Sequence, residues 1–247
     1  MPMTSELTNR QVKILKAVVE EYISTAEPVA SEAIERKYSV GVSPATIRSE
    51  LVKLTEAGYL RQPHTSAGRI PSSVGLKFYI DRIMEEKRLA VTEEVSAKES
   101  VWDCRADQDK LLREAVRFLA SKTHTLAISA TDNGEIYHSG YANILEMPEF
   151  YDIDVAHELL ALLDQTQKIH ELFLDGPWSN QPVNIVLGEE LNLPYFQTVG
   201  MILVPFHFSN NVNGSLGVVG SVRLNYSQVI PVVKYMSHLL EEISQSW

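Results

Sequence analysis

Ser43, Ala45, Thr46, Arg48, Ser49 and Lys53 lie within one helix-length of each other, and His64, Thr65, Ser66 and Arg69 follow after a short interval. No pair among them makes a nucleophile and its base. They supply hydrogen-bond donors instead, three of them cationic, among side chains small enough to let a backbone come close. An arginine fork fits the O6 and N7 edge of guanine in a DNA major groove, with short or hydroxylated neighbours beside it. Hydroxyls, an imidazole and backbone N–H groups next to a glycine fit phosphate oxygens, which set position but carry no sequence information. The expectation divides accordingly. Ala45, Thr46, Arg48 and Ser49 would read base edges, while Ser43, Lys53, His64, Thr65, Ser66 and Arg69 would hold the backbone of double-stranded DNA.

Other chemistry is poorly supported. The seven histidines, His64, His124, His138, His157, His170, His207 and His238, show no zinc-ligand spacing, so no metal is expected. Gly214, Gly217 and Gly220 recur every third residue before a strand, which is not the dinucleotide fingerprint, and no cofactor is expected. Glu189 and Glu190 after a strand read as solvated or capping carboxylates. No nucleophile elbow occurs. The reading is of a protein that is not an enzyme.

The donors need elements to carry them. In SPATIRSELVKLTEAG, Ser43 is an N-cap, Pro44 suits the first helical position, and Gly58 suits a left-handed end. Ile47, Leu51 and Leu54 fall on one stripe, which leaves Ala45, Arg48, Ser49 and Val52 outward with Thr46 and Lys53 on the flank. Upstream, Thr8 and Gln11 form a capping box before a helix whose apolar residues include Val12, Leu15, Val19 and Ile23. A short helix over Val29–Lys37 and a turn through Gly41 complete a helix-turn-helix order. Downstream, Tyr59–Gln62 and Ile70–Pro71 read as strands flanking the small-residue loop 63–69, which is a wing. Ser72 caps a further helix.

Charge supports the division. The 247-residue chain carries −10, but residues 1–90 hold 13 Lys and Arg against 11 Asp and Glu, and residues 91–247 hold 9 against 21. Within 36–82 the counts are 8 and 3, a local basic footprint on an acidic protein. Forty-five per cent hydrophobic residues suit a packed core. No apolar run approaches the roughly 18 residues of a membrane span, no signal-peptide core opens the sequence, and the single Cys104 suits a reducing cytoplasm.

Residues 89–106 lose apolar periodicity and read as a linker, part helical. Beyond them, a helix over Asp107–Lys122, strands near 125–130, 136–141, 183–187, 200–208 and 215–222, and helices over 155–163 and 230–243 are expected. Ile169–Leu174 reads as an extension or a turn of helix, and Asn213-Gly214 as a hairpin turn. The fold class is α+β: a winged helix-turn-helix over residues 1–88, the linker, and an α/β regulatory or dimerisation domain over 107–247.

TNRQVKILKAVVEEYISTAEPVASEAI, VGVSPATIRSELVKLTEAGYL and QPHTSAGRIP closely resemble the bacterial heat-inducible transcription repressor HrcA family, and GYANILEMPEF, VNIVLGEELN and GSLGVVGSVRLNYSQVIPVV continue the resemblance in order. It implies an N-terminal winged helix, a GAF-like second domain, an inverted-repeat operator upstream of chaperone operons, a homodimer, and a GroEL-type chaperonin as folding partner. Ser43–Ala57 would be the recognition helix and Pro63–Pro71 the wing. The sequence passes from LAISATDNGEIYHSG almost directly into GYANILEMPEF, where the family carries further GAF strands and an inserted dimerising domain, so the GAF-like domain is expected to be reduced. The final RLNYS also stands where relatives often show a Pro-Thr-Arg-Met-Asp-Tyr-like run. The alternative is a ligand-sensing or protein-docking winged-helix regulator of other genes.

Overall fold

A computed structural model describes residues 7–176, 181–191 and 193–246 and divides the chain into two units, 1–85 and 86–247.

In the first unit, α1 (Asn9–Thr25) opens on the expected capping box, with Thr8 and Gln11 each bonded to the other's backbone. It buries Ile14, Leu15, Val18 and Val19. Then come α2 (Ser31–Lys37), α3 (Pro44–Glu56), β1 (Leu60–Arg61), β2 (Ile70–Pro71) and α4 (Ser73–Arg82). Ser43 and Ser72 cap α3 and α4 through the backbone N–H of Thr46 and Gly75. The second helix starts two residues later than its sequence suggests. Val29 is held instead in a β-bridge, exchanging both backbone hydrogen bonds with Arg69 at 2.9 Å. β1 and β2 pair antiparallel, Leu60 with Pro71 and Arg61 with Ile70.

The second unit begins with α5 (Val91–Trp102) and α6 (Gln108–Thr123). The stretch expected to be a linker is therefore helical over α5, and its Ala97 and Val101 are fully buried. β3 (Leu126–Thr131) and β4 (Ile136–Ser139) follow, then α7 (Tyr141–Leu145), α8 (Ile153–Leu163) and α9 (Thr166–Phe173). The chain closes with β5 (Asn184–Leu187), a short α10 (Gly188–Leu191), β6 (Val199–His207), β7 (Asn213–Ser221) and α11 (Tyr226–Ser244). The strands form one antiparallel sheet in the order β4-β3-β7-β6-β5.

Alternation along the strands sorts the core. Leu126, Ile128, Met201, Leu203 and Val219 pack with Phe150, Leu159, Ile169 and Phe173 from the segment spanning α7–α9. α6 and α11 pack against the sheet through their own buried stripes, among them Leu112 and Leu119 on α6 and Val233, Met236 and Leu240 on α11.

One expected turn is displaced. Asn213-Gly214 is not the hairpin turn but the start of β7, with Asn213 opposite His207. The reversal lies at Ser209–Val212, where Phe208 N–H donates to the Val212 carbonyl and Asn211 takes a positive φ of 63°. Gly214 is needed for another reason. A Cβ there would stand 2.2 Å from the Phe206 ring and 2.8 Å from the Ala130 carbonyl oxygen, so the glycine makes room for an aromatic across the sheet.

Candidate nucleic-acid interface

α3 forms because its cap, its proline and its apolar stripe agree, and the same stripe fixes which side faces outward. Ile47, Leu51 and Leu54 are buried, while Ser43, Ala45, Arg48, Ser49 and Lys53 are exposed and Thr46 is half-buried. The Ser43 and Thr46 hydroxyls lie 3.0 Å apart over the first turn.

Three carboxylates to which the sequence assigns no role organise this face. Glu32 on α2 accepts a hydrogen bond from the Arg48 guanidinium at 2.7 Å, and both groups remain largely in solvent. Its own backbone N–H first, then the Ser31 hydroxyl and Arg48, hold the Glu32 carboxyl below its ordinary pKa. Glu50 lies on the buried side of α3, 3.2 Å from Lys53 and 3.8 Å from Arg10 of α1. Glu21 of α1, also buried, takes hydrogen bonds from Lys37 and from the Tyr38 hydroxyl, which ties the α2–α3 turn back to α1. Burial first, then Glu21 and Glu20, push Tyr38 up to about 12; burial and Glu20 do the same to Tyr79. Both phenols therefore stay neutral donors at physiological pH.

The loop after β1 is braced from within. Gln62, which carries no expected role, donates from Nε2 to the Thr65 and Ala67 carbonyls, both at 2.9 Å. His64, Thr65 and Ser66 stay exposed, with His64 Nδ1 3.2 Å from the Ser66 hydroxyl. Gly68 admits no side chain: a Cβ would sit 2.5 Å from the Val29 carbonyl carbon and oxygen. Arg69 is placed differently from the other loop donors. It is half-buried, and its Nε donates to the Thr55 hydroxyl at 3.0 Å while Nη1 reaches the Ala67 carbonyl at 3.4 Å. The Nε bond joins the loop to α3, and the Nη1 bond closes the loop on itself.

Helix and loop meet at a cleft of about 310 Å³ lined by Glu32, Arg48, Gln62, Thr65, Ser66 and Arg69. Of the sequence-predicted residues the cleft gathers Arg48, Thr65, Ser66 and Arg69. Ser43, Ala45, Thr46, Ser49, Lys53 and His64 lie outside its lining. Among the described residues no His, Cys, Asp and Glu cluster is arranged to hold a metal, and no helix is long and apolar enough to cross a membrane.

Comparison with known proteins shows that residues 76–230, more than half of the chain, match the family described as HrcA protein C terminal domain. The heat-inducible transcription repressor HrcA of Carboxydothermus hydrogenoformans is 28% identical, with 96% of this chain and 98% of that protein covered. The protein of the same name from Syntrophobacter fumaroxidans is 29% identical, with 97% and 98% covered. The first alignment spans 337 positions against the 247 residues here, so at least 90 positions of that relative have no counterpart. Because both chains are covered nearly end to end, the difference is internal. A hypothetical protein with a crystal structure at 2.2 Å shares the fold, with a TM-score of 0.77 over 98% of this chain and 99% of that one at 18% identity.

Proposed function

Since the chain belongs to the HrcA family, we propose that it is a sequence-specific DNA-binding repressor of heat-shock and chaperone genes, acting in the cytoplasm as a dimer on an inverted-repeat operator. In this reading α1–α3 form the helix-turn-helix, the β1–β2 hairpin is its wing, and the five-stranded sheet with its helices is a GAF-like regulatory domain. A GroEL-type chaperonin is proposed as the folding partner. The protein has no catalytic role.

The observation that carries the reading is the exposed, capped α3 with Arg48 outward, next to a loop whose backbone is fixed by Gln62 while His64, Thr65 and Ser66 face solvent. Short side chains at Ala45, Thr46 and Ser49 allow close approach to base edges, and the Arg48 fork supplies a bidentate donor. The wing hydroxyls, His64, Ser43 and Lys53 hold phosphates. Arg69 serves both parts, bracing the loop against α3 and offering its spare N–H groups to the backbone.

Gel shifts on an inverted-repeat operator and on random duplex test this. Arg48→Ala is expected to narrow the gap between the two duplexes, and Arg69→Ala to weaken both alike. Identical binding of both variants and the wild type to every duplex would refute the interface. Sedimentation with and without operator tests the dimer; a monomer in both conditions would remove it.

A further inference from the structure

The second unit is acidic, with 11 Lys and Arg against 22 Asp and Glu over residues 86–247. Five of its cations are spent on its own carboxylates: Lys98 on Glu242, Lys110 on Asp107, Arg113 on Asp109, Arg117 on Glu114 and Lys234 on Glu86. One cavity breaks this pattern. A cleft of about 470 Å³ is lined by Lys87, Arg88, Lys122 and Arg223 but by a single carboxylate, Glu93. Four of the unit's 11 cations thus face a space that only one of its 22 acids faces. Such a surplus in an acidic unit calls for an anion to fill it.

The pairing within the cleft leaves a definite remainder. Glu93 is 2.6 Å from Lys122, and Arg223 is bonded to Glu149. Lys87 and Arg88 have no carboxylate partner among the described residues, yet their chain is anchored, because Lys87 N–H donates to the Ser227 carbonyl at 2.9 Å. That bond holds the two cations at the start of α11. This 19-residue helix has no side-chain cap, since Asn225 instead bonds Gln228 and Ser227. The uncapped positive end therefore adds to the field of Lys87 and Arg88. The C-terminal end of α6 opposes it, and Lys122 in its last turn offsets that. Leu89, Met147 and Val229 give the cleft an apolar wall. Its volume falls in the range of small-molecule sites, ~300–1,000 Å³.

We propose that this cleft binds a phosphorylated small molecule of nucleotide size, with the phosphoryl group at Lys87, Arg88 and the start of α11 and the organic body against Leu89, Met147 and Val229. The site is independent of the DNA-binding reading and gives the second unit a sensor of its own. A bound anion there replaces repulsion among like charges with ion pairs, and so stabilises the unit that holds it.

Isothermal titration calorimetry on the full chain, with ADP and with inorganic pyrophosphate, tests the proposal. Both probes are expected to bind the wild type with one site, ADP more tightly because of the apolar wall. The double variant Lys87→Glu/Arg88→Glu is expected to lose at least ~10-fold in affinity for both, as reversal of two facing charges requires. Gln228→Glu, which places a carboxylate on the lining without touching either cation, is expected to weaken both probes as well. Lys168→Glu, an exposed cation outside the cleft, is expected to bind as the wild type does. Absence of binding to the wild type, or unchanged binding by both lining variants, overturns the proposal. Operator gel shifts of the double variant separate the remaining explanation: loss of operator affinity with no probe bound by the wild type would assign these cations to the duplex and overturn the site.

Discussion

Glu21 and Glu50 in the N-terminal unit keep only about a tenth of their side-chain surface in solvent, whereas the bases that serve them, Lys37, Lys53 and Arg10, keep more than half. In the second unit Glu149 and Arg223 are buried together, 12% and 13% exposed. The difference shows how a nearly balanced unit can present a positive face. Residues 1–85 hold 11 cations and 10 carboxylates, but two of those carboxylates lie beneath the surface while their partners point outward. A ligand at the surface meets the cations first. In the second unit the buried pair neutralises itself in place, and the unit as a whole stays acidic.

The largest effect is expected where the pair is wholly inside. Glu149→Gln leaves the Arg223 guanidinium buried without its counter-ion and should cost about 3–5 kcal/mol, read by urea denaturation. Burial alone would raise the Glu149 pKa. Hydrogen bonds from Arg223, from its own backbone N–H and from Ser221 outweigh burial and hold it below the ordinary 4.5. The stability this carboxylate contributes is thus fully present above about pH 4.5 and is lost as pH falls through the lower native value. The variant should lack that part of the acid limb. A loss no larger than that of a surface pair would erase the contrast between the units.

Second in size is Arg48→Ala, which should cost about 1–3 kcal/mol of discrimination between operator and random duplex, measured as the ratio of the two affinities. Its folding should be unaffected, because the pair with Glu32 is solvent-exposed and such pairs stabilise little. A variant that lost stability but kept its discrimination would place Arg48 with the structural cations of the second unit.

Local signals make the N-terminal unit readable. Thr8, Ser43 and Ser72 are caps that act within three residues, and each helix starts beside its cap. The outward face of α3 follows from Ile47, Leu51 and Leu54 alone. What escapes depends on residues distant in sequence. Glu32 reaches Arg48 across 16 positions, Lys37 reaches Glu21 across 16, and Val29 bridges Arg69 across the whole of α2 and α3. No window of a helix turn contains such a pair. Asn213-Gly214 misleads for a related reason: the dipeptide satisfies turn chemistry, but the demand for glycine comes from Phe206 on the neighbouring strand. The expected linker reads only as part helical, and the extent of α5 is hidden because it buries only Ala97 and Val101 and exposes Val91, Val95 and Trp102, so its apolar residues do not form one inward stripe.

Next in magnitude is Glu50→Gln. The substitution nearly preserves shape and removes a buried carboxylate whose partners, Lys53 and Arg10, are already in water, so destabilisation should stay near 1 kcal/mol or less, as for exposed pairs. The two cations, no longer held by an internal acid, become available to phosphate. Affinity for random duplex should rise, and the slope of log affinity against log salt should steepen by about 0.9 for each additional phosphate neutralised. An unchanged slope would mean that the buried acid had not been drawing charge from the surface.

The smallest effect is expected at Glu32→Gln, and its direction matters more than its size. Glu32 is solvated, so breaking its bond to Arg48 should leave the denaturation midpoint where it was. The carboxylate nevertheless does two things to the guanidinium: it fixes one orientation of the fork and it competes with a nucleic acid for the N–H groups. Random duplex offers phosphates that take the arginine in any orientation, so removing the competitor favours that binding. An operator guanine needs the fork aligned, so part of the gain is given back as lost orientation. The ratio of operator to random affinity should therefore fall even as both affinities rise, opposite to Arg48→Ala, where both fall. Should the ratio rise instead, Glu32 acts only as a competitor, and the exposed acid on α2 belongs with Glu50 as a regulator of charge, not of geometry.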